Sequence, residues 1–265
     1  MSWSLLPYAI PLIGGYKTIS AMHPSTYSKY NEAPESALSV VVKEIAWRVL
    51  NAENRPGTRY QERIQDLIDG LPDSVGEKNV QAVIDSRIKV ATIRDPSMPI
   101  HATGTDVDIG AAVGKLFIAV DPDAQSTAGA ALPWICTHEI CHLLEGDHVE
   151  LPGMKAIASL AVAILTTSVL GWAVLPSIGA AVVANIVTHA AVSLRAEKRA
   201  DDFANKHCTR YERLMAVEYF KRIERSRPEG VFSYPAKWIR SVLHPSEAAR
   251  IAKIQASLLA DLKLA

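Results

Sequence analysis

A chain of 265 residues, 49% of them hydrophobic, is long enough for one large domain or two small ones around a real core. Its 28 basic and 28 acidic residues give a formal net charge of zero, which removes any electrostatic case for nucleic-acid binding. Of three cysteines at least one is unpaired, and Cys136 and Cys141 are too poorly placed on one predicted helix to bridge, so free thiols in a reducing compartment are expected.

The first 16 residues are apolar but lack a basic start, and Pro7 and Pro11 interrupt them. They read as a buried N-terminal arm, with a membrane-surface anchor as the alternative. A polar loop over 17–34 follows. Helical spacing of Leu38, Val41, Val42, Ile45 and Val49 predicts a helix over 35–52, ended by Arg55-Pro56-Gly57. Thr58 and Gln61 resemble a capping box for a second helix, which Gly70 closes. A short third helix over 77–85 leads into an alternating strand over 88–93. After a turn at Asp95-Pro96, residues 100–120 form short β segments broken by glycines, the last over 115–120. Asp121-Pro122-Asp123 stops that strand. The next helix starts at Pro133 and runs out near Gly146, with Asp147 and His148 capping its end.

That helix carries His138-Glu139-Ile140-Cys141-His142, an H-E-x-x-H pattern. Residues four apart on a helix lie about 40° apart around its axis, so His138 and His142 face the same way and can grip one metal. Glu139 falls beside that face, where a carboxylate can polarise a water at the metal. A strand, a connector and then a metal helix is the order of many zinc peptidases, in which the last strand offers its edge to an extended substrate. Cys141, inside the motif, reads as a buried inert thiol.

No Asp, Glu, Lys or Arg occurs over residues 156–194. Residues 156–175 are nearly pure apolar, Pro176-Ser177 makes a break, and 178–194 form a second apolar run, so the segment reads as a helical hairpin. Entry into a membrane and return would leave both ends on one side, cytoplasmic by the charges of Lys155, Arg195, Lys198 and Arg199. A soluble lid is the alternative, because Asn185, His189, Ser193 and Glu197 form a polar seam four residues apart. A charged helix continues beyond Leu194. Further helices are expected over 211–225 and 246–264.

Two histidines need a third protein ligand, leaving one position open for water. In one broad class that ligand is a Glu on a later helix, with an acidic residue four further on. Glu197 and Asp201 have that spacing on one helical face, and Asp201 would accept a hydrogen bond from the outer nitrogen of a ligand histidine. His207-Cys208 lacks a matching pair and reads as surface.

With this pair, with the run from Ser193 to Asp201 and with His244-Pro245-Ser246-Glu247-Ala248-Ala249-Arg250-Ile251, the chain resembles the HtpX-like zinc metallopeptidases over roughly residues 85–255. The second motif departs in one respect: its arginine stands at Arg195, shifted by one. The resemblance implies Zn(2+) held by His138, His142 and Glu197, with Asp201 behind a histidine. It implies Glu139 as the general base that takes a proton from water and passes it to the departing amine. His244 would be an inhibitory fourth ligand or a transition-state stabiliser, and Arg250 would tie down the C-terminal segment.

The expected fold is α+β, mainly helical and zincin-like, with a small β-sheet and the apolar hairpin between the two zinc motifs. Residues 1–84 are expected to form an N-terminal helical region packed on a metallopeptidase domain of 85–265, its hairpin at about 156–194. The expected function is a zinc-dependent endopeptidase acting on polypeptides, in membrane-protein quality control, membrane-associated through 156–194 with a cytoplasmic active site. A soluble cytoplasmic protein, a latent or non-catalytic zinc-binding chaperone, and a zinc hydrolase of small amides are the alternatives.

Overall fold

The computed structural model describes residues 31–32, 37–92, 107–112, 115–120, 129–171, 174–226 and 245–264; the N-terminal stretch 1–16 and His244 lie outside them. In chain order the described elements are β1 (Asn31–Glu32), α1 (Ala37–Glu53), α2 (Gln61–Asp69), α3 (Val80–Arg87), β2 (Ile88–Thr92), β3 (Val107–Ala112) and β4 (Lys115–Val120). There follow α4 (Leu132–Glu145), α5 (Asp147–Ile164), a π-helical turn (Leu165–Val169), α6 (Val174–His207), α7 (Arg210–Ser226) and α8 (Glu247–Leu264). They fall into two compact units. One comprises Ser28–Gly146, Lys198–Glu229 and Ser246–Ala265, and the other is built around Asp147–Glu197.

In the first unit the helix with both histidines, α4, lies between two apolar clusters. Cys136, Ile140, Cys141, Leu143 and Leu144 face a core made with Val42, Val49 and Leu50 of α1, Ile64 of α2, Ile84 of α3, and Ala200 and Phe203 of α6. Trp134 faces the second cluster, with Ala204, Cys208, Phe220 of α7 and Ile254 of α8. Burial on two sides fixes both the rotation and the tilt of α4, as a single apolar stripe would not.

Local signals set the helix ends. Pro133 sits in the first turn of α4, where a missing N–H costs nothing. Gly146 closes α4 at φ 72°, its N–H reaching the carbonyls of His142 and Leu143. Asp147 opens α5. The expected capping box at Thr58 is replaced by other contacts: Thr58 Oγ1 donates to the Glu53 and Arg55 carbonyls, and Gln61 Oε1 accepts from Gly57 N at 3.2 Å. The third helix starts at Val80, later than expected, because Asn79 caps it by accepting from Ala82 N at 2.9 Å.

The sheet has the order β1-β2-β4-β3. β2 runs parallel to β4, with Ile88 opposite Leu116 and Thr92 opposite Val120. β3 is antiparallel to β4, with Val107 opposite Val120. The strand expected to offer its edge, β4, is thus paired on both sides. Of the two strands at the margins of the sheet, β3 is the one packed on α4.

The second unit is a helical hairpin. Its break lies earlier than the expected Pro176-Ser177: Gly171 takes a left-handed φ of 64°, and Pro176 falls in the first turn of α6. Its polarity is inverted. Ser159, Ala163, Thr166, Ser177 and Ala181 are buried, whereas Ile157 is 70% exposed, Val169 69%, Val183 59% and Val187 60%. Inside, Asn185 Nδ2 donates to Ser159 Oγ at 3.0 Å, so this member of the polar seam turns toward the other arm.

Ion pairs tie the first unit across long sequence distances. Glu145, in the last turn of α4, accepts from Tyr60 OH at 2.6 Å and lies 2.7 Å from Arg59 Nη2 and 3.1 Å from Arg199 Nε of α6. Burial, then the bond to Glu145, pushes the Tyr60 hydroxyl pKa above its ordinary value. Glu53, 1% exposed at the end of α1, meets Lys206 Nζ at 2.7 Å and His207 Nε2 at 2.8 Å. Glu145→Ala should lower unfolding free energy by about 1–3 kcal/mol in urea titration, because Tyr60 and Arg199 lose a shared acceptor. Arg59→Ala, at an exposed partner, should cost at most about 1 kcal/mol.

Candidate metal centre

The one-turn spacing on α4 brings the two histidine rings to a centroid separation of 4.8 Å at 77°, with His138 Nε2 and His142 Nε2 3.1 Å apart. Glu197 joins them from α6: among the described residues, one ligand atom from each of His138, His142 and Glu197 lies within 4.8 Å of the others. The boundary between the compact units falls inside α6, between Glu197 and Lys198. Glu197 is therefore placed by the unbroken helix that it shares with Ala200 and Asp201, both packed in the first unit.

The donor set fits a metal ion. Two imidazole Nε2 atoms aimed at each other at this distance can share only one proton, whereas a cation satisfies both lone pairs. For a tetrahedral ion with nitrogen bonds of 2.0–2.1 Å the expected N···N edge is about 3.3 Å, close to the observed 3.1 Å. His138 is 4% exposed and Glu197 8%, whereas His142 is partly exposed. Two histidines and one carboxylate leave a tetrahedral ion one open position.

Asp201 lies one turn beyond Glu197 and is 2% exposed. Its Oδ1 stands 3.0 Å from His138 Nδ1, a close ionic contact without the alignment of a hydrogen bond. A carboxylate beside Nδ1 favours the tautomer with its proton there and a lone pair on Nε2. Arg250 Nε of α8 is 3.4 Å from the same oxygen. The arginine thus anchors the C-terminal helix at the group behind the metal site. Glu139 is not drawn into the ligand group; its Oε1 is 4.0 Å from His138 Nε2 and the side chain stays 17% exposed.

The remaining candidates part company with this centre. Cys141 is fully buried with its sulfur 3.8 Å from Tyr60 OH, toward the α1–α3 side. His207 and Cys208 are not on the surface, contrary to expectation. His207 turns to Glu53, and burial outweighs that carboxylate to hold its pKa below the ordinary value. Cys208 turns to Thr137 Oγ1 at 3.7 Å, and burial pushes its thiol up to about 11. Burial likewise raises the pKa of Cys136. Sequence reasoning missed Trp134, whose ring stacks on that of His138 at 5.5 Å and 27°; its position four residues before His138 was the available signal.

Asp201→Ala should weaken divalent-metal binding about 10–100-fold, measured by competition with a chromogenic chelator. Unchanged affinity would mean that the carboxylate does not orient His138.

The site can be set beside known proteins. No curated protein and no solved structure gives a significant match to the chain. The model of Peptidase family M48 matches residues 126–258 of the 265, which include the H-E-x-x-H helix, α6 with Glu197 and Asp201, and Arg250. The match covers half of the chain and every group described at the metal centre, and on that ground the chain belongs to Peptidase family M48.

Proposed function

We propose that the chain is a zinc-dependent endopeptidase of the HtpX-like kind. The observation that carries this reading is the convergence of His138, His142 and Glu197 with Asp201 behind His138. Those three side chains would hold zinc, and the ion would supply Lewis acidity for activating water and polarising a carbonyl. Glu139, beside the ligands yet partly exposed, takes the proton of the attacking water on its carboxylate and delivers it to the departing amine. Asp201 keeps His138 in one tautomer throughout. His244, outside the described residues, is assigned the stabilisation of charge at the attacked carbonyl or a resting contact at the open metal position. A polypeptide substrate would align in extended form along β3, the strand of the sheet margin that packs on the metal helix.

Glu139→Gln should retain about one equivalent of zinc and lose roughly 10²–10⁴-fold in the cleavage rate of unfolded polypeptides. Full activity in that variant would sink the mechanism. Cleavage inside long chains separates an endopeptidase from a hydrolase of small amides.

We infer further that the hairpin enters a bilayer, in keeping with a role in membrane-protein quality control and an active site on the cytoplasmic side. Inverted polarity supports this, as does the absence of charge over 156–194. Among the described residues one helix, Pro176–His207, is long and apolar enough to cross a membrane, and only 18% of its apolar window is buried. Residues 156–170 reach roughly 22 Å as a helix, short of the about 30 Å hydrocarbon core, so the chain dips in and returns. The chain should stay in the pellet after a carbonate wash of membranes. Val183→Asp with Val187→Asp, each charge costing about 2.5–3.5 kcal/mol in lipid, should move it to the supernatant. Wild-type chain in the supernatant would leave the hairpin as a lid.

A further inference from the structure

The face of α6 that delivers Glu197 and Asp201 continues for one more turn. Asn205, four residues past Asp201, is 8% exposed, and its Oδ1 accepts from Trp134 Nε1 at 2.9 Å. Trp134 is 1% exposed and stacks on His138, with Phe220 meeting the indole edge-on at 5.3 Å and 86°. We propose that Trp134 and Asn205 are a positioning pair for the metal-binding ring of His138: Asn205 fixes the indole, and the indole fixes the plane of the imidazole. The inference rests on the reading of His138, His142 and Glu197 as a metal site.

The physical need is specific. The second side-chain torsion of a histidine is broad and roughly two-fold, so helical spacing alone does not aim Nε2. Asp201 holds the ring at Nδ1, 3.0 Å away, and a ring held at one edge can still rock about it. A flat indole against the imidazole removes that rocking. The indole has its own two-fold freedom, and only one orientation satisfies its single buried N–H donor at Asn205. His138 is thus held by two lines of contact from α6. One runs through Asp201, which is backed by Arg250; the other runs through Asn205 and Trp134. Asparagine, neutral with one acceptor oxygen for the indole, adds no charge beneath the metal position.

The test uses the full chain and two readouts: zinc affinity by chelator competition, and the visible absorption of the cobalt-loaded protein, which reports ligand geometry. Asn205→Leu, which keeps the volume and removes the acceptor, should weaken zinc binding about 10-fold and shift the cobalt bands. Asn205→Asp, which restores an acceptor oxygen, should recover most of the affinity. Trp134→Phe should weaken binding similarly and make Asn205→Leu silent in its background, because no indole N–H remains to be held. Unchanged zinc affinity and cobalt spectrum in Asn205→Leu would overturn the proposal, and so would full additivity of the two substitutions. If Asn205→Leu does not fold, wild-type affinity and spectrum in Trp134→Phe overturn it alone. A wild-type chain that binds neither zinc nor cobalt overturns the metal-site reading itself, a failure distinct from normal binding that ignores Asn205.

Discussion

A buried carboxylate behind a buried imidazole joins the two helices on which the site depends. His138 on α4 and Asp201 on α6 meet at 3.0 Å, with 4% and 2% of each residue exposed. A carboxylate so far from water is stable only with partners, and His138 and Arg250 provide them from two other helices. The contact therefore serves three ends. It ties α4 to α6, places a carboxylate at the Nδ1 edge of a candidate metal-binding ring, and brings in the C-terminal helix through Arg250. Because α6 repeats every 3.6 residues, fixing Asp201 also fixes Glu197 one turn earlier and Asn205 one turn later.

The surroundings of α4 explain why this geometry holds without a disulfide. All three cysteines are free and buried. Rigidity comes instead from apolar clusters on two sides of the helix and from Glu145 at its end, where Tyr60, Arg59 and Arg199 converge. The N-terminal helices α1–α3 are thus part of the core that carries the histidines. Glu53, Lys206 and His207 repeat the same device at the far end of α6.

Helix α6 also joins two kinds of surface within one rod. Its first half, in the hairpin, exposes Val183, Ile186 and Val187 and turns Asn185 inward; its second half buries Ala200, Asp201, Phe203 and Ala204 and exposes Lys198, Asp202 and Lys206. The switch comes at the start of the charged run, at Arg195 and Glu197, the latter in the candidate metal-binding group.

The sequence by itself determined what depends on spacing of one helical turn. His138 and His142, Glu197 and Asp201, the glycine stop at Gly146 and the charge-free stretch over 156–194 are all legible because the α-helix makes residues four apart neighbours, whatever else the chain does. Only the tertiary structure decided which helices meet. That Arg250 lies beside Asp201, that Asn205 holds Trp134, that β4 is internal to the sheet and that His207 is drawn to Glu53 all involve partners far apart along the chain. No local pattern announces such pairs, because burial makes a polar side chain find whichever partner the packing brings within reach. Even the hairpin break followed this rule. Pro176 looked like the stop, yet a first-turn proline is tolerated, and the left-handed Gly171 turned the chain instead.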